Sequence, residues 1–393
     1  MYDTLPVAGR TLTASLDARL QELTEQLMEG KVGAVVAIEP STGEILVMAS
    51  GPSYDPDQMV GRERNDNYLR MIHDPRSPMF NRAVMAQYPP GSTFKIVNGL
   101  IGLQEGVLRP HYKYECNHGY SVGRFHLGCH AHGSPLDLYE AIMTSCNGYF
   151  CYVLRNIMDD PKKGGIRNGG YDSWAERVRG FGFGRKLESD FISEYGGSVR
   201  DADFYNRMHR GTWNSLSVIS LAIGQGELGC SPLQIANFAA TIANRGHYFI
   251  PHVIKKIEGV DMDARFSEPH NADIDASHFD PIVEGMFRAA NEPGGTVFGA
   301  GYVAGLDICG KTGTAENPHG RDHSIFMGFA PRDNPRIAIC VYIENGGFGA
   351  TNAVPIGSLV MEQYLTDTIR RPALVERVRG TTLNYPHYDR KAL

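Results

Sequence analysis

Two side chains three positions apart carry the first chemical signal in this chain. In Pro89-Pro90-Gly91-Ser92-Thr93-Phe94-Lys95 a serine opens a run that continues through Ile96 and Val97 to Leu103 without a helix breaker. Residues three apart share one face of a helix, so Ser92 Oγ and Lys95 Nζ can come within hydrogen-bond reach. A lysine among apolar neighbours has a lowered pKa and can take the serine's proton, while helix-start amides favour the negative charge that develops. Alone, the pair is equally well a capping serine followed by a solvated lysine. Two distant segments change that balance. Ser145-Cys146-Asn147 offers a hydroxyl to relay a proton and an amide to orient a peptide bond. Lys311-Thr312-Gly313-Thr314 falls on a predicted strand, where alternate residues face one side and glycine lets another backbone approach closely. Its lysine and hydroxyls can hold a carboxylate, and the Thr314 amide can pair with that of Ser92 around an oxyanion. Together these parts compose acyl transfer through a serine.

The order S-x-x-K, S-x-N, K-T-G is the signature set of penicillin-binding proteins and serine β-lactamases. Further stretches, Val32 to Ala49, Tyr88 to Lys95, Ile223 to Gln234 and His323 to Pro331, resemble the transpeptidase domain of class B penicillin-binding proteins, and the likeness spans roughly residues 10 to 370. The resemblance implies an α/β (α+β) fold: an antiparallel five-stranded sheet flanked by helices, plus a mainly helical lobe. It implies that Ser92 attacks the D-Ala-D-Ala bond of a peptidoglycan stem peptide, that the last D-alanine leaves, and that an amine of a neighbouring stem resolves the acyl-enzyme. β-Lactams imitate the donor and stay attached. Lys95 is then the acylation base, with Ser145 and Lys311 as a second proton route; which lysine is neutral stays open. Asn147 holds the donor amide, and Lys311, Thr312, Gly313 and Thr314 surround its terminal carboxylate. A serine β-lactamase shares all three motifs, but no dedicated deacylating carboxylate stands out. A non-catalytic β-lactam receptor keeps Ser92 acylation without transfer to an amine.

A second cluster lies between the first two motifs. Cys116, His118, His126, Cys129, His130 and His132, with Cys146 inside S-x-N itself, put three cysteines and four histidines within 31 positions. Thiolate and imidazole suit a closed tetrahedral zinc site; the alternatives are buried free thiols, a Cys116–Cys129 disulfide and surface histidines. Elongation-type members, penicillin-binding protein 2, include enzymes with a metal here, one ligand being the cysteine of S-x-N. Cys146 matches it, and His132-Gly133 resembles the family's histidine-glycine. That leaves Cys116 and Cys129, for which His126 or His130 can substitute, because the family's carboxylate ligands are absent. Four protein ligands leave no open position, so such a zinc is structural. Cys151, Cys230, Cys309 and Cys340 read as ordinary buried small residues.

The elements that must position these groups are legible from patterning. Leu16, Leu20, Leu23 and Leu27 mark an amphipathic helix over 15–29. Val32 to Ile38 and Glu44 to Ala49 read as strands joined by the turn Pro40-Ser41-Thr42-Gly43. Cys309 to Ala315, Ser324 to Ala330 and Arg336 to Glu344 read as three more, and Ile356, Leu359, Val360 and Tyr364 as another helical stripe. One domain of two lobes is expected: a sheet lobe from 10–88 and 247–370, a helical lobe from 89–246 that includes a helix opened by Ser231-Pro232, and a flexible polar tail over 371–393. Asp159 to Gly170 is loop by composition. Gly224-Gln225-Gly226-Glu227-Leu228-Gly229 matches a dinucleotide fingerprint literally, but the acidic ribose partner due about twenty residues later is missing; its glycines instead shape a turn at the active-site edge, as in the family.

Composition is that of a globular protein: 393 residues, 42% hydrophobic, 21% charged, net charge −6, with basic doublets scattered, which argues against nucleic acid as a partner. No window holds the ~18 apolar residues of a membrane span, so the chain itself is expected to be soluble. Relatives carry an N-terminal membrane helix and a non-catalytic pedestal, both absent here. The expectation is a piece of a longer protein, anchored in the inner membrane, facing the periplasm and working with a membrane glycosyltransferase complex.

Overall fold

The computed structural model describes residues 8–389. Its centre is a five-stranded antiparallel sheet of β1 (Gly33–Ile38), β2 (Ile45–Gly51), β3 (Cys309–Ala315), β4 (His323–Ala330) and β5 (Ile337–Ile343), in the order β2-β1-β5-β4-β3. The strands are apolar almost throughout because both faces are covered. Val35, Ala37, Ile339 and Val341 belong to one buried cluster, and their neighbours Ala34, Val36, Ala338, Cys340 and Tyr342 to the other. Alternation along a strand sends successive side chains to opposite faces, and each fully buried Val or Ile contributes about 1.5–3 kcal/mol. The first and last strands of this sheet in chain order meet at its centre, where Val35 pairs with Val341. β3, carrying Lys311 to Thr314, is an edge strand with one side open.

The helices that matter here are α1 (Ala18–Met28), α2 (Lys95–Gln104), α3 (Leu138–Met143), α4 (Asn147–Met158), α5 (Pro232–Ala243), α6 (Phe279–Asn291), α7 (Ala353–Thr366) and α8 (Pro372–Arg379). α1, started by the Asp17 side chain accepting from Arg19 N and Leu20 N, lies with α7 on one face of the sheet. α5 covers the other face. Its start has a reciprocal capping box of Ser231 and Gln234 with Pro232 in the first turn, and every one of its residues is buried between the sheet and the remaining helices.

The lobes do not divide where the chain order suggested. α5, placed with the helical lobe by sequence, packs on the sheet, while α6, from the stretch assigned to the sheet lobe, packs on α3 as well as on the edge strand β3. Hydrophobic pattern reports that a helix has a buried face, not which surface buries it. The segment after 371, expected as a flexible polar tail, instead folds as α8 and an extension that docks: Val378 and Tyr385 are buried, and Lys31 Nζ donates to Val378 O at 2.8 Å. Leu374, Val375, Val378 and Leu383, which pack on the core, make too short a stripe among charged residues to reveal this. Residues 390–393 of that tail lie outside the described residues. The 159–170 stretch is loop and short 3-10 turns, as its composition indicated.

Candidate active site

Ser92 stands in a 3-10 turn (Gly91–Phe94) that runs directly into α2, so Ser92 and Lys95 leave the turn on one side. Two contacts pin that turn. Gly91, at φ 55°, lies so near β3 that a Cβ would come 2.7 Å from Thr314 O. Its N–H donates to Gly224 O at 3.0 Å. Gly224 closes a 3-10 turn in the left-handed region, and a Cβ there would sit 2.1 Å from Gly91 O. The glycine run is therefore a turn against the nucleophile, not a phosphate cradle. In an extended strand the N–H and C=O of one residue point to the same edge, so the Thr314 amide faces the same turn as its carbonyl.

Lys95 is fully buried, and its three donors go to Ser145 O at 2.6 Å, Asn147 Oδ1 at 2.6 Å and Ser145 Oγ at 3.1 Å. Its hydrogen bonds do not include Ser92, whose hydroxyl faces the cleft. Lys311, also fully buried, donates to Ser145 Oγ at 2.7 Å and Thr312 O at 2.9 Å. One hydroxyl thus bridges two lysines. Ser145 reaches that position because its backbone is left-handed, at φ 60°, a conformation costing a non-glycine residue of order 1–3 kcal/mol. Burial holds Lys95 at about 8, the nearby cysteine thiolates working against it. Burial and then repulsion from Lys95 push Lys311 well below the ordinary lysine range. The pair therefore titrates as a unit, and three acceptors around Lys95 Nζ against two around Lys311 Nζ favour the ammonium on Lys95.

Ser92, Ser145, Asn147, Thr312 and Thr314 line a cavity of about 510 Å³. The sequence reading missed other walls: Thr296, whose Oγ1 lies 2.9 Å from Thr312 Oγ1, together with Gln225, Glu316 and the exposed Phe348. Of these only Gln225 falls in a run that the sequence singled out, between glycines expected to turn at the active-site edge; for the others only the local Gly294-Gly295-Thr296 turn hints at a position near backbone. Gly313 has no side chain in the cleft. A Cβ there would meet Ile325 Cβ at 2.9 Å and Thr93 Cγ2 at 3.2 Å, so its smallness lets β3 lie against the nucleophile turn.

Behind this cleft, the ligand atoms of Cys116, Cys129, His132 and Cys146 all lie within 4.8 Å of one another. His126 is turned away to Ser121 Oγ at 2.8 Å, and His130 Nδ1 stays 3.9 Å from Cys129 Sγ. His132 Nδ1 donates to Gly133 O at 2.7 Å, which leaves Nε2, 3.3 Å from Cys129 Sγ, with its lone pair free for a ligand role. Asn147 N–H donates to Cys129 Sγ at 3.1 Å and Tyr149 N–H to Cys146 Sγ at 3.2 Å. The Cys146–Cys129 contact, then the surrounding histidines and the Asn147 amide, drive Cys129 toward thiolate, and the same contact pushes Cys146 up. All seven cysteines are free, so no Cys116–Cys129 disulfide is present. Cys146 is the N-cap of α4, and the cluster is thereby fastened to both Ser145 and Asn147.

A cleft-facing serine beside a buried lysine at a helix start, a bridging serine and a lysine-bearing edge strand on an antiparallel sheet define a serine acyl-transferase site. The penicillin-binding protein transpeptidase domain model matches residues 33–362, and the chain belongs to that family. Within it the chain is of the class B, elongation type. The peptidoglycan D,D-transpeptidase MrdA of Acinetobacter baumannii is 32% identical over 396 residues, covering 93% of this chain and 56% of the relative. The chain therefore spans little more than half the length of the curated relatives it matches. The crystal structure of Pseudomonas aeruginosa penicillin-binding protein 2 in complex with WCK 5153 superposes with a TM-score of 0.81 at 33% identity, covering 92% of this chain and 80% of that one. The imipenem acyl-enzyme of Mycobacterium tuberculosis penicillin-binding protein A gives 0.74 at 27%, covering 91% and 80%.

Proposed function

We propose that this chain is the catalytic part of a peptidoglycan D,D-transpeptidase that cross-links stem peptides through a Ser92 acyl-enzyme in cell-wall elongation. The observation that carries the reading is the Lys95–Ser145–Lys311 bridge beside Ser92. On this reading the proton shared by the pair rests on Lys95, which has three acceptors, and Ser145 Oγ lies between it and Lys311. Transfer of one proton across Ser145 Oγ leaves Lys95 neutral, able to take the proton of Ser92, and Lys311 charged, able to bind the donor's carboxylate beside Thr312 and Thr314. Ser92 Oγ then forms the acyl bond, the carbonyl oxygen sits between the Ser92 and Thr314 amides, and the proton returns to the leaving D-alanine nitrogen. An acceptor amine reverses these steps. Asn147, whose Nδ2 donates to Gly128 O at 2.8 Å, is placed to exchange that carbonyl for a substrate amide.

The test is intact mass after incubation with benzylpenicillin. One stable adduct, lost in Ser92→Ala, supports the reading, and steady turnover of the penicillin without a lasting adduct points to a β-lactamase instead.

We further propose that Cys116, Cys129, His132 and Cys146 hold a structural zinc. Support comes from the donor set: three thiols, an imidazole with its Nδ1–H already engaged, and two N–H···S contacts that stabilise thiolate. When bound, the ion would supply fixed geometry rather than a reaction step, holding the Ser145–Asn147 turn in place. The whole protein, on this reading, is anchored in the inner membrane, faces the periplasm and works beside a glycosyltransferase that polymerises the glycan. In the described residues no helix is long and apolar enough to cross a membrane.

A further inference from the structure

The nucleophile turn is connected to the far end of the chain. Glu344, just past β5 and 6% exposed, is a buried carboxylate with its two oxygens divided between different parts of the molecule. Oε1 accepts from Tyr88 Oη at 2.6 Å and from Arg82 Nε at 3.2 Å. Oε2 accepts from Tyr388 Oη at 2.8 Å, and Arg82 Nη2 also reaches Tyr388 Oη at 3.3 Å. Tyr388 thus touches both members of a buried ion pair. The segment that carries it is docked by other bonds: Val32 N–H donates to Tyr385 Oη at 2.6 Å, and Asn345 Nδ2 donates to Asn384 O at 3.4 Å.

Tyr88 lies four residues before Ser92. Its backbone exchanges hydrogen bonds with Cys230 at 2.9 and 2.8 Å, its ring stacks on Tyr342 at 4.1 Å and 8°, and Tyr342 Oη donates to Pro89 O at 3.2 Å. Of these supports, the Glu344 bond is the one that the C-terminal segment controls. A buried carboxylate that loses a donor is left under-satisfied at a cost of about 1–3 kcal/mol, and any turn that relieves this moves Tyr88, whose hydroxyl it holds at 2.6 Å. Attack by a serine hydroxyl depends on placement to a fraction of an ångström, so a small shift at Tyr88 and Pro89 reaches Ser92 through only Pro90 and Gly91.

We propose that the C-terminal segment 381–389 is a positioning element of the acyl-transfer site, Tyr388 acting on the Ser92 turn through Glu344 and Tyr88. The inference rests on the acyl-serine reading given above. Its test compares Tyr388→Phe, Tyr88→Phe and the double variant in stopped-flow acylation by a fluorescent penicillin, separating non-covalent affinity from the acylation step, with melting temperature measured alongside. Tyr388→Phe should lower the acylation step about threefold to tenfold, the effect of one hydrogen bond to a charged group partly replaced, with affinity changed less than about twofold. In the Tyr88→Phe background the same change should have no further kinetic effect, although it still lowers the melting temperature, because the link is already cut. A Tyr388→Phe rate equal to wild type, or an equal loss in both backgrounds, overturns the positioning role. If the wild-type chain takes no adduct at all, the acyl-serine reading fails first and this inference falls with it.

Discussion

Replacing Ser145 by glycine removes the hydroxyl between the two lysines and leaves the backbone at ease, since glycine adopts φ 60° without strain. In the wild-type protein the singly protonated pair is the active form, its proton crossing Ser145 Oγ, so the second-order rate of acylation should decline as pH rises through about 8, where Lys95 gives up the last proton. Without the hydroxyl the proton cannot cross, and Lys95 must lose it to solvent before acting as a base. At pH 7 a group titrating at about 8 is neutral in roughly one molecule in ten. The expected deficit is therefore about tenfold at pH 7, closing as the pH approaches about 8, so that the rate of the variant rises with pH where that of the wild type falls. Stopped-flow acylation by a fluorescent penicillin across pH 6–9 reads this directly. Ser145→Ala supplies the control, with the same kinetic loss but a lower melting temperature, because alanine keeps the left-handed strain of about 1 kcal/mol or more. A glycine variant whose profile keeps the wild-type shape would refute the relay.

Cys146→Ser should reduce bound zinc, measured by mass spectrometry of the native protein, and slow penicillin acylation by disordering the Ser145–Asn147 turn; unchanged metal content and unchanged acylation together would dismiss the structural ion. Gly91→Ala should cost at least about 1 kcal/mol in denaturant unfolding, since it combines a left-handed φ with a Cβ only 2.7 Å from Thr314 O, and it should slow acylation more than it weakens affinity. Both buried lysines titrate below the ordinary value of 10.5, so between about 8 and 10.5 the unfolded chain binds more protons than the folded one. Stability against urea should then rise with pH across that window, and Lys311→Met should flatten part of the rise.

Much of this site can be read from local sequence because its parts are local. Ser92 and Lys95 are adjacent on one turn, Ser145 and Asn147 flank a helix start, and Lys311 to Thr314 sit on a strand whose pattern is plain. The five sheet strands were legible for the same reason: each is a short apolar run between turn residues. The cysteine and histidine cluster was visible as composition. What covers what was not legible, because α5 and α6 are both amphipathic or fully apolar and their patterns name no partner. The tail beyond 371 looked free because it is anchored by a few tyrosine hydroxyls and one buried valine rather than by a stripe.

The sequence by itself determined which chemistry is possible: a serine that a lysine can activate, an amide and hydroxyls for a peptide and its carboxylate, and soft donors close to the second motif. Only the tertiary structure decided how that chemistry is arranged. It gave Ser145 Oγ to both lysines across 50 and 166 positions of chain, brought Cys116 and Cys129 rather than His126 and His130 together with His132 and Cys146, and tied Glu344 to Tyr88 and Tyr388. The physical reason is that a proton's place and a ligand's identity depend on distances of a few ångströms between segments far apart in the chain, and residue types and local periodicity do not encode those distances.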